Sequence, residues 1–272
     1  MTTLPGAHLA TDAGVPRLPF RLARAETLKL RKRRGLVTVV LLLTIGVVCI
    51  MFVAFELFHA SNSTKYGPAG GLDHFHVAVF VLSQLGSIGA ALLGATAGAG
   101  DLGAGVFREL VATGRSRLAL YGARIPGALA LLWPLIGIAF TAISLFTVGL
   151  ADGLATPGIR LFVESGLWLE LATTLAFFLG LALGSLIGSR ATTIAVLFGW
   201  IIVVEPILTH VSALGRARDA LLNASLDRIA PHEIVDRDLR LPMSLWIAAA
   251  VVLIWGTASL VAGAWRTATR DA

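Results

Sequence analysis

The chain has 272 residues, of which 56% are hydrophobic and only 14% are charged, and its net charge is +6. Soluble domains carry about 25% charged residues because their surface must be hydrated, so this composition excludes a soluble globular protein, and the apolar content excludes a disordered one. A single cysteine, Cys49, excludes a disulfide scaffold. We therefore predict a polytopic membrane protein whose basic residues set its orientation and which binds no nucleic acid.

The chain begins with a basic segment. Residues 1–20 contain Pro5, Pro16 and Pro19 and predict a flexible cytoplasmic tail. Residues 21–35 predict an amphipathic connecting helix with basic residues on several faces. This helix either serves only as the positive flank of the first span or lies along the inner leaflet, where anionic lipid attracts its cations. We favour the second role.

Six apolar runs are long enough to cross a bilayer, which takes about 20 residues of helix. They predict an all-α transmembrane domain over residues 36–265, because the strands of a membrane barrel are about half as long and alternate in polarity. The first run is too long for the apolar part of a signal peptide, so we expect it to stay in the membrane. The predicted spans are Leu36–Leu57, His74–Ala99, Ile125–Gly149, Ser165–Ile187, Thr192–Val211 and Met243–Trp265.

The distribution of lysine and arginine predicts the orientation, since these residues concentrate in cytoplasmic segments. Most of the 22 basic residues fall in segments 1–35 and 100–124, at Arg190 and in the tail 266–272. With six spans, both termini are then cytoplasmic. The outer loop 212–242 is also rich in arginine, but its acidic residues balance the arginines, and we keep it outside.

The inner loop 100–124 is predicted to contain a short helix, because Leu102, Val106 and Leu110 recur at helical spacing before Gly114 breaks the pattern. Such a helix either rests on the bilayer or docks into a groove on a cytosolic partner.

Two spans carry a small residue at every fourth position, which places these residues on one helix face and lets backbones approach closely. This pattern predicts close helix packing, either within one chain or at a seam between subunits. The two lines are Gly86, Ala90, Gly94 and Gly98 in the second span, and Ala176, Gly180, Gly184 and Gly188 in the fourth.

Three glutamates, Glu56, Glu170 and Glu205, fall within the outer halves of the predicted spans. A charge at the centre of a membrane helix costs about 2.5–3.5 kcal/mol on insertion scales, so these residues are candidates for a substrate pathway or gate. Glu205 is the deepest and precedes Pro206, which frees a backbone carbonyl and bends the helix. It either faces a cavity and contributes to a gate or substrate contact, or is a structural residue hydrogen-bonded to a neighbouring helix.

The sequence contains none of the common motifs for nucleotide binding, metal-dependent hydrolysis or serine catalysis. The sequence contains no phosphate-binding G-x-x-x-x-G-K-[ST] loop, no H-E-x-x-H and no G-x-S-x-G. Asp73, His74 and His76 are close in sequence and, with His59, are potential metal ligands, although an aspartate capping the second span explains them better. We therefore predict no catalytic residues, no metal and no cofactor bound by this chain.

The order of these features resembles the ABC-2 type permeases, the membrane subunits of one class of ABC exporter. Residues 26–31 (ETLKLR) resemble the family's E-x-x-K-hydrophobic-R motif in the connecting helix. Residues 105–117 (GVFRELVATGRSR) resemble its G-T-hydrophobic-x-x-L-L-x-x-P-x-S-R coupling region, with Val106 where threonine is usual and Gly114 where proline is common. The likeness spans the whole chain, from the basic helix to the sixth span.

The resemblance implies a type V exporter-like transmembrane domain in a bacterial plasma membrane. A separate ABC ATPase dimer would bind ATP and Mg²⁺, and a second permease copy or a paralogue would complete the pathway. The substrate would be a drug, an antimicrobial peptide or a lipid-like amphiphile. A secondary transporter or channel that acts without an ATPase is the alternative. The implied ATPase-coupling residues are Glu26, Lys29, Gly105, Phe107, Arg108, Glu109, Leu110 and Arg117.

Overall fold

The computed structural model describes residues 17–103, 105, 109, 114, 116–235 and 241–270. Over these residues the chain is helical and has no strand. The helices are α1 (Arg17–Lys32), α2 (Arg34–Ser61), α3 (Leu72–Gly103), α4 (Arg117–Gly149), α5 (Ile159–Ile187), α6 (Arg190–His210), α7 (Leu222–Ile229) and α8 (Leu245–Thr269). A stretch of 3-10 helix over Ser212–Ala220 precedes α7 and is interrupted at Gly215.

Six of these helices, α2, α3, α4, α5, α6 and α8, are long and apolar enough to cross a membrane. They coincide with the six predicted spans, so the prediction of an all-helical, multi-pass fold is confirmed. Most of the helices extend beyond the apolar run, because polar residues also stabilise their ends. Ser116, Ser189 and Ser244 cap α4, α6 and α8, each accepting a hydrogen bond from a backbone N–H in the first turn.

Helices α3 and α4 both extend into the predicted inner loop 100–124. Helix α3 continues to Gly103 and α4 begins at Arg117. The charged residues Asp101 and Arg124, which ended the apolar runs in the sequence, lie inside these helices because they form an ion pair with each other. Much of the helix predicted around residues 102–113 falls outside the described residues.

Helices α3 and α5 form the centre of the bundle, and more than half of the central part of each is buried, against less than a third for the other spans. Their glycines face each other. A Cβ on Gly94 would overlap the carbonyl of Phe177, and one on Gly184 would lie 2.8 Å from the carbonyl oxygen of Ala95. Gly98 and Gly180 are equally tight against the partner backbone. The close packing predicted from the small residues therefore occurs within one chain at these four positions.

The two outer members of the glycine lines have other surroundings. Gly86 faces α4, where a Cβ would lie 3.2 Å from Cδ1 of Ile136. Gly188 ends α5 in the left-handed conformation, with a φ of 78°, which glycine adopts without steric strain. A Cβ there would lie 2.8 Å from the guanidinium of Arg270, so Gly188 packs against the end of α8 rather than against α3.

Helix α1 packs along the first part of α4. The hydroxyl of Thr27 donates a hydrogen bond to the carbonyl oxygen of Gly127 at 2.7 Å. A Cβ on Gly127 would lie 2.6 Å from Cβ of Glu26, so this glycine allows the two helices to touch. One face of the basic helix is thus held against the third span, while Arg21, Arg24 and other basic residues remain exposed.

Candidate functional site

Four charged side chains from three helices meet at one end of the bundle, which we call the basic end. Lys29 of α1 lies 2.8 Å from Oε1 of Glu26 and 2.7 Å from Oδ1 of Asp101 at the end of α3. The other oxygen of Asp101, Oδ2, lies 2.9 Å from Nη2 of Arg124 in α4. The cluster therefore ties α1 to the two helix ends that flank residues 104–116.

The inner pair of this cluster is buried. The side chain of Arg124 is 1% exposed and that of Asp101 is 6% exposed, and Nη1 of Arg124 also donates to the carbonyl oxygen of Gly98 at 3.3 Å. Buried charges require such partners, because desolvation of an unpaired ion is strongly unfavourable. The pair formed by Lys29 and Glu26 is more exposed to solvent, since the side chain of Lys29 is 36% exposed. The cluster therefore forms a continuous series of ion pairs from α1 through the end of α3 to α4.

The sequence identified half of this cluster. Glu26 and Lys29 were predicted as coupling residues, and the structure places them together. Asp101 and Arg124 were missed as site residues, because each looked like a loop residue bounding an apolar run. One feature of the sequence could have indicated their pairing. A single acidic residue follows the second predicted span, a single arginine precedes the third, and their charges are opposite.

Arg117 contacts a different part of the bundle from the other predicted coupling residues. Its guanidinium donates to the carbonyl oxygens of Ala268, at 3.2 Å, and Arg270 at the end of α8. Arg270 in turn donates to the carbonyl oxygen of Ser185 near the end of α5, at 3.4 Å. Cations are favourable at helix C-termini, where carbonyl groups lack partners. Arg117 therefore joins the ends of three spans.

The remaining predicted coupling residues belong to the segment between α3 and α4. Gly105 is an exposed turn residue with a φ of 72°, and Glu109 is helical and exposed. Phe107, Arg108 and Leu110 lie outside the described residues.

A cavity of about 940 Å³ lies between the spans on another side of the molecule. Helix α5 forms its floor, α6 and α8 form its sides, and α3 contributes one edge. Among the described residues, α8 packs along α5, whereas the first part of α6 packs on both α3 and α5, and α6 and α8 make no extensive contact with each other. The separation of these two spans is what creates the cavity.

Helix α7 and the turns before it cover the cavity at the end of the bundle opposite the basic end. Leu222 and Leu226 of α7 pack against α5 and α8. Two tryptophans form hydrogen bonds with this covering segment. Nε1 of Trp168 donates to the carbonyl oxygen of Leu226 at 3.0 Å, and Nε1 of Trp255 donates to the carbonyl oxygen of Ala220 at 2.9 Å. Both tryptophans also line the cavity, so residues of the cavity wall hold α7 and the preceding turn in place.

Glu205 lines the cavity at this covered end and is 3% exposed. Its Oε1 accepts a hydrogen bond from the backbone N–H of Asn223, in the first turn of α7, at 2.7 Å, where the positive end of the helix dipole favours a carboxylate. It therefore lines a cavity and is also hydrogen-bonded to a neighbouring helix, and its role as a gate or as a structural residue stays a prediction.

A wide helical turn positions Glu205. Residues Gly199–Val204 form a π-helix directly before it. Pro206 lacks an N–H group and cannot donate the usual backbone hydrogen bond of an α-helix. The wide turn before it accommodates this missing bond and rotates the residues that follow. Such π-turns occur often at functional sites. The sequence indicated a bend at Pro206 but not the extra residue in the turn.

The other two predicted pathway acids do not line this cavity. Glu56 is exposed on the surface of α2. Glu170, on α5, is half-buried on a different face, and its Oε2 forms no hydrogen bond with the described residues. The structure therefore separates Glu205 from Glu170 and Glu56 and brings it instead beside Asp227, which lies on α7 and lines the same cavity.

No model of a known protein family matches the chain, and no curated protein matches it either. Within the described residues, no group of three or more histidine, cysteine, aspartate or glutamate side chains is arranged to hold a metal ion. The cluster at the basic end and the cavity are the two features of the described residues that indicate a function.

Proposed function

We propose that this chain is the transmembrane permease subunit of an ABC exporter, driven by a separate ATP-binding subunit. The ion-pair cluster at the basic end carries the proposal, because Lys29 and Asp101 join the basic helix α1 to the end of α3 at 2.7 Å. A partner that pushes on α1, or on residues 104–116, moves the ends of α3 and α4 directly. The given sequence contains no phosphate-binding loop, which is consistent with an ATP-binding motor outside this chain.

The export step follows from the same geometry. Helix α3 packs closely on α5 over its whole middle part, so a displacement of α3 is passed to the helix that forms the floor of the cavity. Alternation of this pair between two positions would open the cavity to one side of the membrane and then to the other. A second permease copy or a paralogue would form the other half of the pathway, and no covalent chemistry is needed in this chain.

A transporter or channel without an ATPase is the competing function, and the cavity alone is compatible with it. Such proteins bind a coupling ion near the bilayer midplane, often at broken helices. The π-turn at Gly199–Val204 is a break of this kind. The cluster that links α1 to α3 and α4 favours the ATP-driven function, because an ion-coupled transporter has no need of a mechanical connection to a cytosolic motor.

The proposal is tested by isolating the tagged chain from its native membrane together with the proteins bound to it. We expect an ATPase that contains a phosphate-binding loop and reacts with an azido-ATP photolabel. In nanodiscs, a bimane fluorophore on Thr156→Cys, in a Cys49→Ser background, should change its emission when ATP and vanadate are added. Thr156 is exposed at the end of the bundle far from the motor.

Two matched variants distinguish coupling from general damage. Lys29→Met removes the ion pair that joins α1 to Asp101, together with the Lys29–Glu26 pair within α1. It should abolish the ATP-dependent emission change while the ATPase stays bound. Lys65→Met makes the same chemical change at the opposite end, where Lys65 is exposed, and should leave the change intact. Absence of any ATPase, or an emission that ignores ATP in the unmutated complex, would overturn the proposed function. A normal response in Lys29→Met would overturn the role of the cluster.

A further inference from the structure

The cavity reaches the surface of the bundle within the membrane-spanning region. Gln84 of α3 and Ala258 of α8 both line it, both are exposed, and both lie near the middle of their helices. An opening at this depth faces lipid hydrocarbon when the six helices span a bilayer. A molecule that uses this opening must first dissolve in the bilayer, which selects for compounds with a substantial apolar part.

The walls of the cavity suit a hydrocarbon chain. Its floor on α5 carries Ala172, Ala176 and Leu179 on successive turns, and α8 adds Ala262. Small-molecule pockets have volumes of about 300–1,000 Å³ and are lined mainly by apolar side chains, and 940 Å³ lies in the upper part of that range. The lining residues of α5 run from Trp168 to Leu186, so the floor extends along most of this helix and can accommodate an extended tail.

Two acidic side chains, Glu205 and Asp227, line the covered end of the cavity. Among the described residues that line the cavity, Arg218 is the arginine at this end. The guanidinium of Arg218 donates to the backbone carbonyls of Gly215 and Thr209, each at 3.2 Å, so it is oriented away from an ion pair with Glu205.

Glu205 itself has only neutral partners among the described residues. The N–H of Asn223 donates to it, and the side chain of Trp200 also interacts with the carboxylate. No lysine or arginine of the described residues forms an ion pair with it. A carboxylate that is 3% exposed and has no cationic partner among the described residues favours a cationic ligand, because water screens the interaction little.

We propose that this cavity binds a single-chain amphiphile with a cationic amine head, its tail along α5 and its head at Glu205. The occupant is identified by charge complementarity at one end and by an opening to the bilayer at the other. As a statement about the exported substrate class, this inference rests on the proposed function. As a binding site, it stands independently of any ATPase.

Photocrosslinking of the full-length protein in phosphatidylglycerol nanodiscs tests the binding site. The probe is dodecylamine with a diazirine in the middle of its chain and a terminal alkyne, and the matched probe is the corresponding dodecanol. We expect the amine to label residues of α5, α6 and α8 that line the cavity, and the alcohol to label them about tenfold less, because it lacks the charge that Glu205 receives. An excess of unmodified dodecylamine should remove the label.

Two pairs of variants identify the groups responsible. Glu205→Gln should lower labelling of the cavity by the amine about tenfold, whereas Glu164→Gln should not, since Glu164 pairs with Arg160 on the surface at 2.6 Å. Ala258→Phe should block the opening and remove the label even if Glu205→Gln fails to fold. Val261→Phe adds the same ring on the exposed lipid-facing side of α8 and should leave labelling unchanged.

The outcomes separate the site from its transport role. Equal labelling by amine and alcohol would mean an apolar groove filled by ordinary lipid, and labelling outside the cavity would mean another site; either result overturns the inference. The assay uses no ATP, so an absence of the partner ATPase would contradict the proposed function while leaving a positive labelling result valid. Conversely, an ATP-responsive complex with an unlabelled cavity would contradict only the inference.

Discussion

At the scale of single residues, Asp101 and Arg124 show how a membrane protein can hold charges within its helices. Their side chains are almost fully buried and pair at 2.9 Å. We expect Asp101→Leu to lower the free energy of unfolding by about 3–5 kcal/mol, because it leaves the Arg124 guanidinium buried without its carboxylate. Reversible unfolding in mixed micelles, followed by circular dichroism, measures this loss.

The double variant Asp101→Leu/Arg124→Leu supplies the control for that prediction. It removes both charges, so it should recover much of the stability that Asp101→Leu loses. Lys29→Met should lower the free energy of unfolding by only about 1 kcal/mol or less, since Lys29 is 36% exposed and water screens its pairs. A double variant as unstable as the single one would show that the loss comes from packing rather than from an unpaired charge.

Prediction from sequence was weakest at this scale. Glu26 and Lys29 were identified through a motif, but their partners lie far away in the chain, and a pairing between three helices cannot be deduced from spacing along one of them. Glu205 was recognised because a charge beside a proline in an apolar run is unusual. Its contact with Asn223 depends on where α7 folds back, which no local pattern specifies.

At the scale of elements, the contact between α3 and α5 depends on glycines that bring two backbones together. We expect Gly94→Ala to lower the free energy of unfolding by about 1–3 kcal/mol, because its Cβ would overlap the carbonyl of Phe177 and force the helices apart. The same mixed-micelle unfolding experiment measures the effect.

Gly122→Ala in α4 is the matched control for this substitution. Gly122 is exposed, and a Cβ there would meet nothing within 4 Å. Alanine is favoured over glycine within helices by about 0.5–1 kcal/mol, so this variant should be unchanged or slightly more stable. If both variants behaved alike, backbone proximity would not be the reason for glycine at position 94.

The elements themselves were predicted well because length and hydropathy suffice to recognise a membrane span. Their ends were predicted less well. Arg117 and Arg124 do not look like residues of a span, yet α4 includes both, because Arg117 binds the carbonyl groups at the end of α8 and Arg124 binds Asp101. The π-turns at Leu42–Gly46 and Gly199–Val204 were not predicted, since hydropathy does not register one extra residue in a turn.

At the scale of the whole molecule, the two candidate sites lie at opposite ends of the bundle, and α3 and α5 run between them. The ion-pair cluster lies at the basic end, and the acidic part of the cavity lies under α7 at the opposite end. The cavity could not be predicted from the sequence, because it depends on a gap between α6 and α8 in the folded bundle. A stripe of alanines such as Ala172 and Ala176 indicates close packing as readily as an open floor.

The proposed direction of transport requires the basic end to be cytoplasmic, as the distribution of lysine and arginine predicts. Cysteine labelling in intact cells tests this orientation, starting from Cys49→Ser so that no native thiol reacts. A membrane-impermeant maleimide should label Thr156→Cys in intact cells, because the residue is exposed at the end opposite the cluster. It should label Ala191→Cys, exposed at the start of α6, only after the membrane is permeabilised. The reverse pattern would place α1 outside the cell, where no ATP-driven motor could reach it, and would contradict both the orientation and the exporter function.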